Sequence, residues 1–163
     1  MSTYSFGGPA TAEELSQRHF RLVCQLLEEY RVGPMPGLEE ALDALRRRGI
    51  PFGVVSSSWR WYVEHCLREL GMYEDAAVIV TGSDGLPLKP APAPYQAAAR
   101  VFRPAPPGAV LAVEDSGSGV RSAVAAGLAC AAVYNPDSGA QDLSPARWRL
   151  NSLYELPALL DGN

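Results

Sequence analysis

The sequence has 163 residues, of which 47% are hydrophobic and 20% charged, and its formal net charge is −4. This length suits one domain with a substantial core. It contains neither the clustered basic residues typical of nucleic-acid binding nor an apolar run of about 18 residues, so we expect no nucleic-acid and no membrane partner.

The three cysteines, Cys24, Cys66 and Cys130, are odd in number, widely spaced and embedded in apolar segments. This pattern favours reduced thiols over a disulfide framework or a zinc site. The first residues also lack the layout of a signal peptide. We therefore expect a cytoplasmic protein.

The predicted helices and strands alternate along most of the chain. A first helix at 11–30 has Thr11 and Glu14 at the spacing of a capping box, and a proline-rich connection follows. The later strands are continuous apolar runs, which predicts an α/β fold: a three-layer, Rossmann-like parallel sheet with helices on both faces. We expect strands at 50–55, 77–81, 109–113, 128–134 and 148–150, and helices at 38–48, 59–70, 94–102 and 153–160, with another helix after the Ser-Gly turn at 116–119.

The segment 110–127 organises the predicted fold. It begins as a buried strand, continues into the adjacent acids Glu114 and Asp115, and passes through a Ser-Gly-Ser-Gly turn into an Ala-rich helix. Open α/β sheets bind ligands at the carboxyl ends of their strands. The turn also places backbone N–H groups at a helix start, where anions bind.

Polar side chains follow three of the predicted strands. Ser56 follows the first, Lys89 lies in the loop after the second, and Glu114 and Asp115 follow the third. Each has a structural explanation when taken alone: a helix cap, a solvated lysine, or acids at a helix N-terminus. Together at one edge of a parallel sheet, the hydroxyl and the lysine suit a phosphate group and the carboxylates suit Mg²⁺. The sequence therefore predicts magnesium-assisted handling of a small phosphorylated molecule.

Residues 34–136 resemble the haloacid dehalogenase-like hydrolases, in the branch of β-phosphoglucomutase-like and phosphoglycolate phosphatase-like enzymes. Val-Val-Ser-Ser-Ser at 54–58 is similar to the second motif of the family, and Leu-Lys-Pro-Ala-Pro at 88–92 to the third. Val-Glu-Asp-Ser at 113–116, with the glycines that follow, is similar to the fourth.

The resemblance implies a role for each matched residue. Ser56 and Ser57 would bind phosphate. Lys89 would be a catalytic residue that neutralises both the phosphate and the nucleophile. Glu114 and Asp115 would hold Mg²⁺.

The chain departs from the family at the first motif, a strand ending in Asp-x-Asp-Gly-Thr that provides the nucleophile. No Asp-x-Asp occurs in this sequence. By resemblance, residues 1–33 are a tail and a remnant of the cap-domain helix, and residues 34–163 are the core, altered at its first strand. That strand is central in the family's sheet, so we expect the gap to be filled by residues 2–6, by direct pairing of the flanking strands, or by a strand from a second copy or a partner chain.

Two functions follow from this pattern. The first is a magnesium-dependent phosphatase or phosphomutase of a small phosphorylated metabolite, inactive as this chain alone because the nucleophilic aspartate is absent. The alternative is a pseudoenzyme that serves as a phospho-ligand-binding or protein-interaction module.

Overall fold

The computed structural model describes residues 11–29 and 33–162. The chain divides between Gly33 and Pro34 into two compact units. The first contains helix α1 (Ala12–Glu29), which starts with the predicted capping box: Thr11 N–H donates to Glu14 Oε2 at 2.9 Å and Glu14 N–H to Thr11 Oγ1 at 3.2 Å. The interpretation of residues 1–33 as a tail and cap remnant, and of residues 34–163 as the core domain, stays a prediction.

The second unit alternates helices with strands. Its helices are α2 (Leu38–Arg48), α3 (Arg60–Glu69), α4 (Ala93–Ala99), α5 (Gly117–Ala125) and α6 (Leu156–Asp161). Its strands are β1 (Phe52–Val55), β2 (Ala76–Val80), β3 (Leu111–Glu114), β4 (Ala129–Val133) and β5 (Trp148–Leu150). Within the described ranges, no helix combines the length and apolar character needed to cross a bilayer.

The predicted elements are confirmed, with shifts at their ends. The predicted helix at 94–102 is α4 followed by a 3₁₀ turn at 100–102. Another 3₁₀ turn at 107–109 delays the start of the next strand to Leu111, so that Glu114 is the last residue of β3 and does not follow it.

Two glycines bound helix α2. Gly37 precedes it at φ 87° and Gly49 ends it at φ 60°, backbone conformations that favour glycine because it has no Cβ. Acidic residues occupy the first turn and three arginines the last, which suits the helix dipole. A Cβ on Gly37 would also overlap the backbone of Tyr154, so the turn before α2 has no room for a side chain.

The strands form two parallel sheets. β1 pairs with β2, and β4 lies between β3 and β5. Direct pairing of β1 with β3, one of the expected ways to fill the gap, is therefore wrong for the described residues, because the only described partner of β1 is β2 and the only described partner of β3 is β4. Residues 2–6 lie outside the described residues, and pairing with another chain stays a prediction.

Strand β4 separates two hydrophobic clusters. Cys130 and Ala132 pack into one cluster with residues of α4 and α5, whereas Ala131 and Val133 pack into the other with residues of α2 and α6. Successive residues of a strand point to opposite faces, so helices cover both sides of this sheet. The predicted three-layer α/β architecture is confirmed.

Candidate functional site

The only lysine of the chain forms a buried ion pair with an acid at the carboxyl end of β3. Lys89 Nζ donates to Glu114 Oε1, and the two side chains are 10% and 6% exposed. Burying a charge is unfavourable unless it is paired and hydrogen-bonded. All the other residues in the combined count of lysine and arginine are arginines. The predicted solvated state of Lys89, the structural alternative to a site, is therefore wrong.

Two further hydroxyl groups bind the Glu114 carboxylate. Tyr95, in α4, donates to Oε1 at 2.6 Å, and Ser116 Oγ donates to Oε2 at 3.1 Å. Burial, reinforced by the negative charge of Glu114, raises the pKa of Tyr95 above its usual range. The phenol therefore remains protonated and serves as a donor.

Gly119 leaves the space that the Glu114 carboxylate occupies. A Cβ at this position would overlap the carboxyl carbon and both of its oxygens. The second glycine of the predicted Ser-Gly-Ser-Gly turn is thus required by side-chain packing across the turn.

The loop that carries Lys89 is fastened to helix α5. Ser122, a fully buried residue of α5, donates its hydroxyl hydrogen to the carbonyl of Ala91 at 2.6 Å. The Lys89–Pro90 peptide bond is cis. Helix α5 therefore supports both partners of the ion pair: Glu114 through the space at Gly119, and Lys89 through Ser122.

Asp115 faces a different set of groups from its neighbour Glu114. Its Oδ2 accepts hydrogen bonds from Asn135 Nδ2 at 2.8 Å and from Ser138 Oγ at 3.1 Å. Both donors lie in the loop after β4. The two adjacent acids are thus divided between the buried lysine and the more exposed rim of the sheet.

The N-terminus of α5 is largely satisfied by protein groups. Gly119 N–H donates to Ser116 Oγ at 3.1 Å and Gly117 N–H to Gln141 Oε1 at 2.9 Å. The expectation that this turn offers these N–H groups to an anion is therefore wrong. The cap residue and a glutamine from a distant loop take the place of the anion.

Ser56 and Ser57 lie at the carboxyl end of β1. Ser56 N–H donates to the Val80 carbonyl at 2.9 Å, and its Oγ accepts from Ser58 N–H at 3.1 Å. Within the described residues, these hydrogen bonds stay between the loop and β2 and do not reach Lys89 or the acids. Ser57 is exposed. Their predicted role in phosphate binding stays a prediction.

The acidic pair fits magnesium in part. Among the described residues, no three His, Cys, Asp or Glu side chains lie close enough together to hold a metal ion. Magnesium, however, usually keeps several waters and binds proteins through one or two carboxylates plus substrate phosphate. Asp115 suits this role, because neutral donors orient one of its oxygens, whereas both oxygens of Glu114 are engaged. That Glu114 or Asp115 holds magnesium stays a prediction.

The sequence did not single out Tyr95, Asn135 or Ser138. A signal for Asn135 was present, since it comes just after β4, at the carboxyl edge of the sheet in which Asp115 follows β3. Tyr95 had no such signal, because an aromatic residue on a helix is usually a core residue.

A family profile described as haloacid dehalogenase-like hydrolase matches residues 6–127. The Bacillus subtilis (strain 168) protein YhcW is 34% identical over 152 residues, covering 91% of this chain and 67% of YhcW. The phosphoglycolate phosphatase of Xylella fastidiosa is 31% identical over 127 residues, covering 78% of this chain and 55% of its own length.

A solved structure shares the fold. CbbY from Rhodobacter sphaeroides, in complex with phosphate, superposes with a TM-score of 0.77 at 29% identity, over 94% of this chain and 70% of CbbY. A mutant of the same protein has been solved with xylulose-1,5-bisphosphate. The chain therefore spans between about half and 70% of the length of these relatives.

Proposed function

This chain belongs to the haloacid dehalogenase-like hydrolase family, and we propose that it binds the phosphate group of a small phosphorylated metabolite at the carboxyl edge of its sheets. The buried ion pair of Lys89 with Glu114 carries the proposal. An ammonium group has three N–H donors, so the bond to Glu114 leaves others for phosphate oxygens.

The neighbouring residues complete the proposed site. The hydroxyl groups of Ser56 and Ser57 would donate to the phosphate from the end of β1. Asp115 would hold Mg²⁺ with its carboxylate oriented by Asn135 and Ser138, and Glu114 is the second predicted ligand. When bound, magnesium would supply positive charge against the phosphate oxygens.

The proposed ligand class is a sugar phosphate or a phosphorylated small acid. The relatives support it: one is a phosphoglycolate phosphatase, and another has been solved with phosphate and with a sugar bisphosphate. A cytoplasmic location is part of the proposal, supported by Cys24, Cys66 and Cys130, none of which forms a disulfide bond in the described part of the chain.

We further propose that the 163-residue chain by itself binds phosphate without hydrolysing esters. Covalent catalysis of phosphate transfer needs a carboxylate directed at phosphorus. The sequence has no Asp-x-Asp, and Glu114 is committed to Lys89. Under this proposal the chain alone works as a phospho-ligand-binding module, the pseudoenzyme alternative, and hydrolysis requires a nucleophile from another polypeptide segment.

The test measures binding and turnover on the same preparation. Inorganic phosphate binding is followed by calorimetry, and phosphate release from phosphoglycolate, a hexose phosphate and an aryl phosphate is followed with Mg²⁺ present. Lys89→Ala and Asp115→Ala are compared with Arg47→Ala, which removes an exposed charge in the last turn of α2.

Three outcomes are informative. Phosphate binding that Lys89→Ala abolishes and Arg47→Ala retains, without turnover, supports both proposals. Turnover lost in both site variants would retain the phosphate site but refute the inactive state. Equal binding to wild type and Lys89→Ala, or no binding at all, would refute the phosphate site.

A further inference from the structure

Tyr95 places a hydroxyl group in the interior where a phenylalanine would satisfy packing alone. The side chain is 7% exposed and belongs to the cluster formed by α4, α5, β3 and β4. A buried tyrosine hydroxyl needs a hydrogen-bond partner. Its partner is Glu114 Oε1, the same oxygen that accepts from Lys89.

The Glu114 carboxylate is fixed from several directions. Tyr95 and Lys89 bind Oε1, Ser116 binds Oε2, and Gly119 lies so close that a Cβ there would overlap the carboxyl group. A rotation of the carboxylate would break at least one charge-assisted hydrogen bond in a site largely shielded from water. The Tyr95 hydroxyl is thus one of the groups that hold the carboxylate in this orientation.

The same tyrosine also lies beneath the lysine. Lys89 Nζ is 5.3 Å from the centroid of the Tyr95 ring. The ring face attracts the ammonium, and the hydroxyl holds the carboxylate that pairs with it. One side chain thus contacts both ends of the ion pair.

We propose that Tyr95 is a positioning residue, whose hydroxyl fixes the Glu114 carboxylate and thereby holds the Lys89 ammonium where the phosphate group binds. The part concerning phosphate rests on the proposed function. The placement of Lys89 by Tyr95 is independent of it.

Because Lys89 is the only lysine, the test needs no assignment. ¹⁵N-lysine labelling gives one side-chain ammonium signal, which is detectable when exchange with water is slow. We expect this signal in the wild type, where Lys89 is 10% exposed. Tyr95→Phe keeps the ring and should shift the signal or broaden it beyond detection, whereas Tyr154→Phe, at a residue 57% exposed, should leave it unchanged.

A second variant keeps the proposal falsifiable if Tyr95→Phe fails to fold. Glu114→Gln retains the shape of the side chain without its charge, and it should also abolish the slowly exchanging signal. In a double-mutant cycle on the free energy of unfolding, Tyr95→Phe should cost clearly less once Glu114 is glutamine, because the hydroxyl then no longer binds a charged group. A lysine signal that survives Glu114→Gln, or an equal cost of Tyr95→Phe in the free energy of unfolding with Glu114 and with glutamine at position 114, would overturn the proposal.

Phosphate affinity separates this inference from the proposed function. If the site binds inorganic phosphate, Tyr95→Phe should weaken it about 10-fold, as expected for loss of a hydrogen bond to a charged group. A wild type that binds no phosphate but loses its lysine signal in Tyr95→Phe would refute the proposed function and retain the positioning role. Unchanged signal and affinity in Tyr95→Phe would refute the positioning role alone.

Discussion

Gly119→Ala tests the geometry at Glu114 with the addition of one methyl group. In an ordinary helix, replacing glycine with alanine stabilises the helix by about 1 kcal/mol. In α5 the new Cβ would overlap the Glu114 carboxyl group. We therefore expect the opposite sign, because the carboxylate has to leave the position in which it binds Lys89 and Tyr95.

The magnitude follows from these two effects. Breaking a buried ion pair costs about 3–5 kcal/mol. Subtracting the gain in helix propensity leaves a net loss of about 2–4 kcal/mol in the free energy of unfolding. For a chain of 163 residues, each kcal/mol lowers the melting temperature by about 3 °C, so Tm should fall by about 6–12 °C.

The assay is urea unfolding followed by tryptophan fluorescence, with thermal unfolding alongside. Gly108→Ala is the matched control, since a Cβ at Gly108 meets no atom within 4 Å. It should change the free energy of unfolding by no more than about 1 kcal/mol. A Gly119→Ala variant as stable as the wild type would refute the described placement of Glu114.

One labelling reaction and two further substitutions test other parts of the fold. Burial raises the pKa of Cys130 to about 11, so at pH 8 its thiolate fraction is about 100-fold below that of an ordinary thiol. A disulfide reagent should therefore label the partly exposed Cys66 before the buried Cys130. Comparable labelling rates in the native protein would contradict this burial. Ser122→Ala removes the 2.6 Å hydrogen bond to the Ala91 carbonyl, and should cost about 1–3 kcal/mol in urea unfolding; no loss would mean that this bond does not anchor the lysine loop. Gly37→Ala places a side chain at φ 87° against the backbone of Tyr154, and should cost about 3 kcal/mol or more; a neutral result in the same assay would exclude the close approach.

The sequence predicted the residues of the site better than their contacts. Polar residues after apolar strands indicated Lys89 and the acidic pair, because parallel strands bring their carboxyl ends to one edge. The different partners of the two acids, Lys89 for Glu114 and the loop after β4 for Asp115, were not predictable, because they depend on side-chain directions at the end of β3. Tyr95 was missed because a tyrosine on the buried face of a helix packs as a phenylalanine does. Its role becomes visible only through the hydrogen bond of its hydroxyl to Glu114.

The separation into two sheets could not be predicted from periodicity. Apolar runs indicate buried strands but do not specify which strands are neighbours. The family resemblance identified the gap between β1 and β3 and left three ways to fill it. Within residues 33–162, the observed strand pairing excludes the direct pairing of β1 with β3.

The position of strand β4 makes local stability differ between parts of the second unit. Among the described strands it alone has partners on both edges, and residues 130–133 are at most 1% exposed. Local opening of a protein begins where buried apolar contacts are few, and the most protected amides report global unfolding. In amide hydrogen exchange, β4 should therefore be the slowest segment, and β1 and β3 should exchange earlier. The acids at the end of β3 therefore lie beside the strand that opens last. The serines, in contrast, follow β1, whose only described partner is β2.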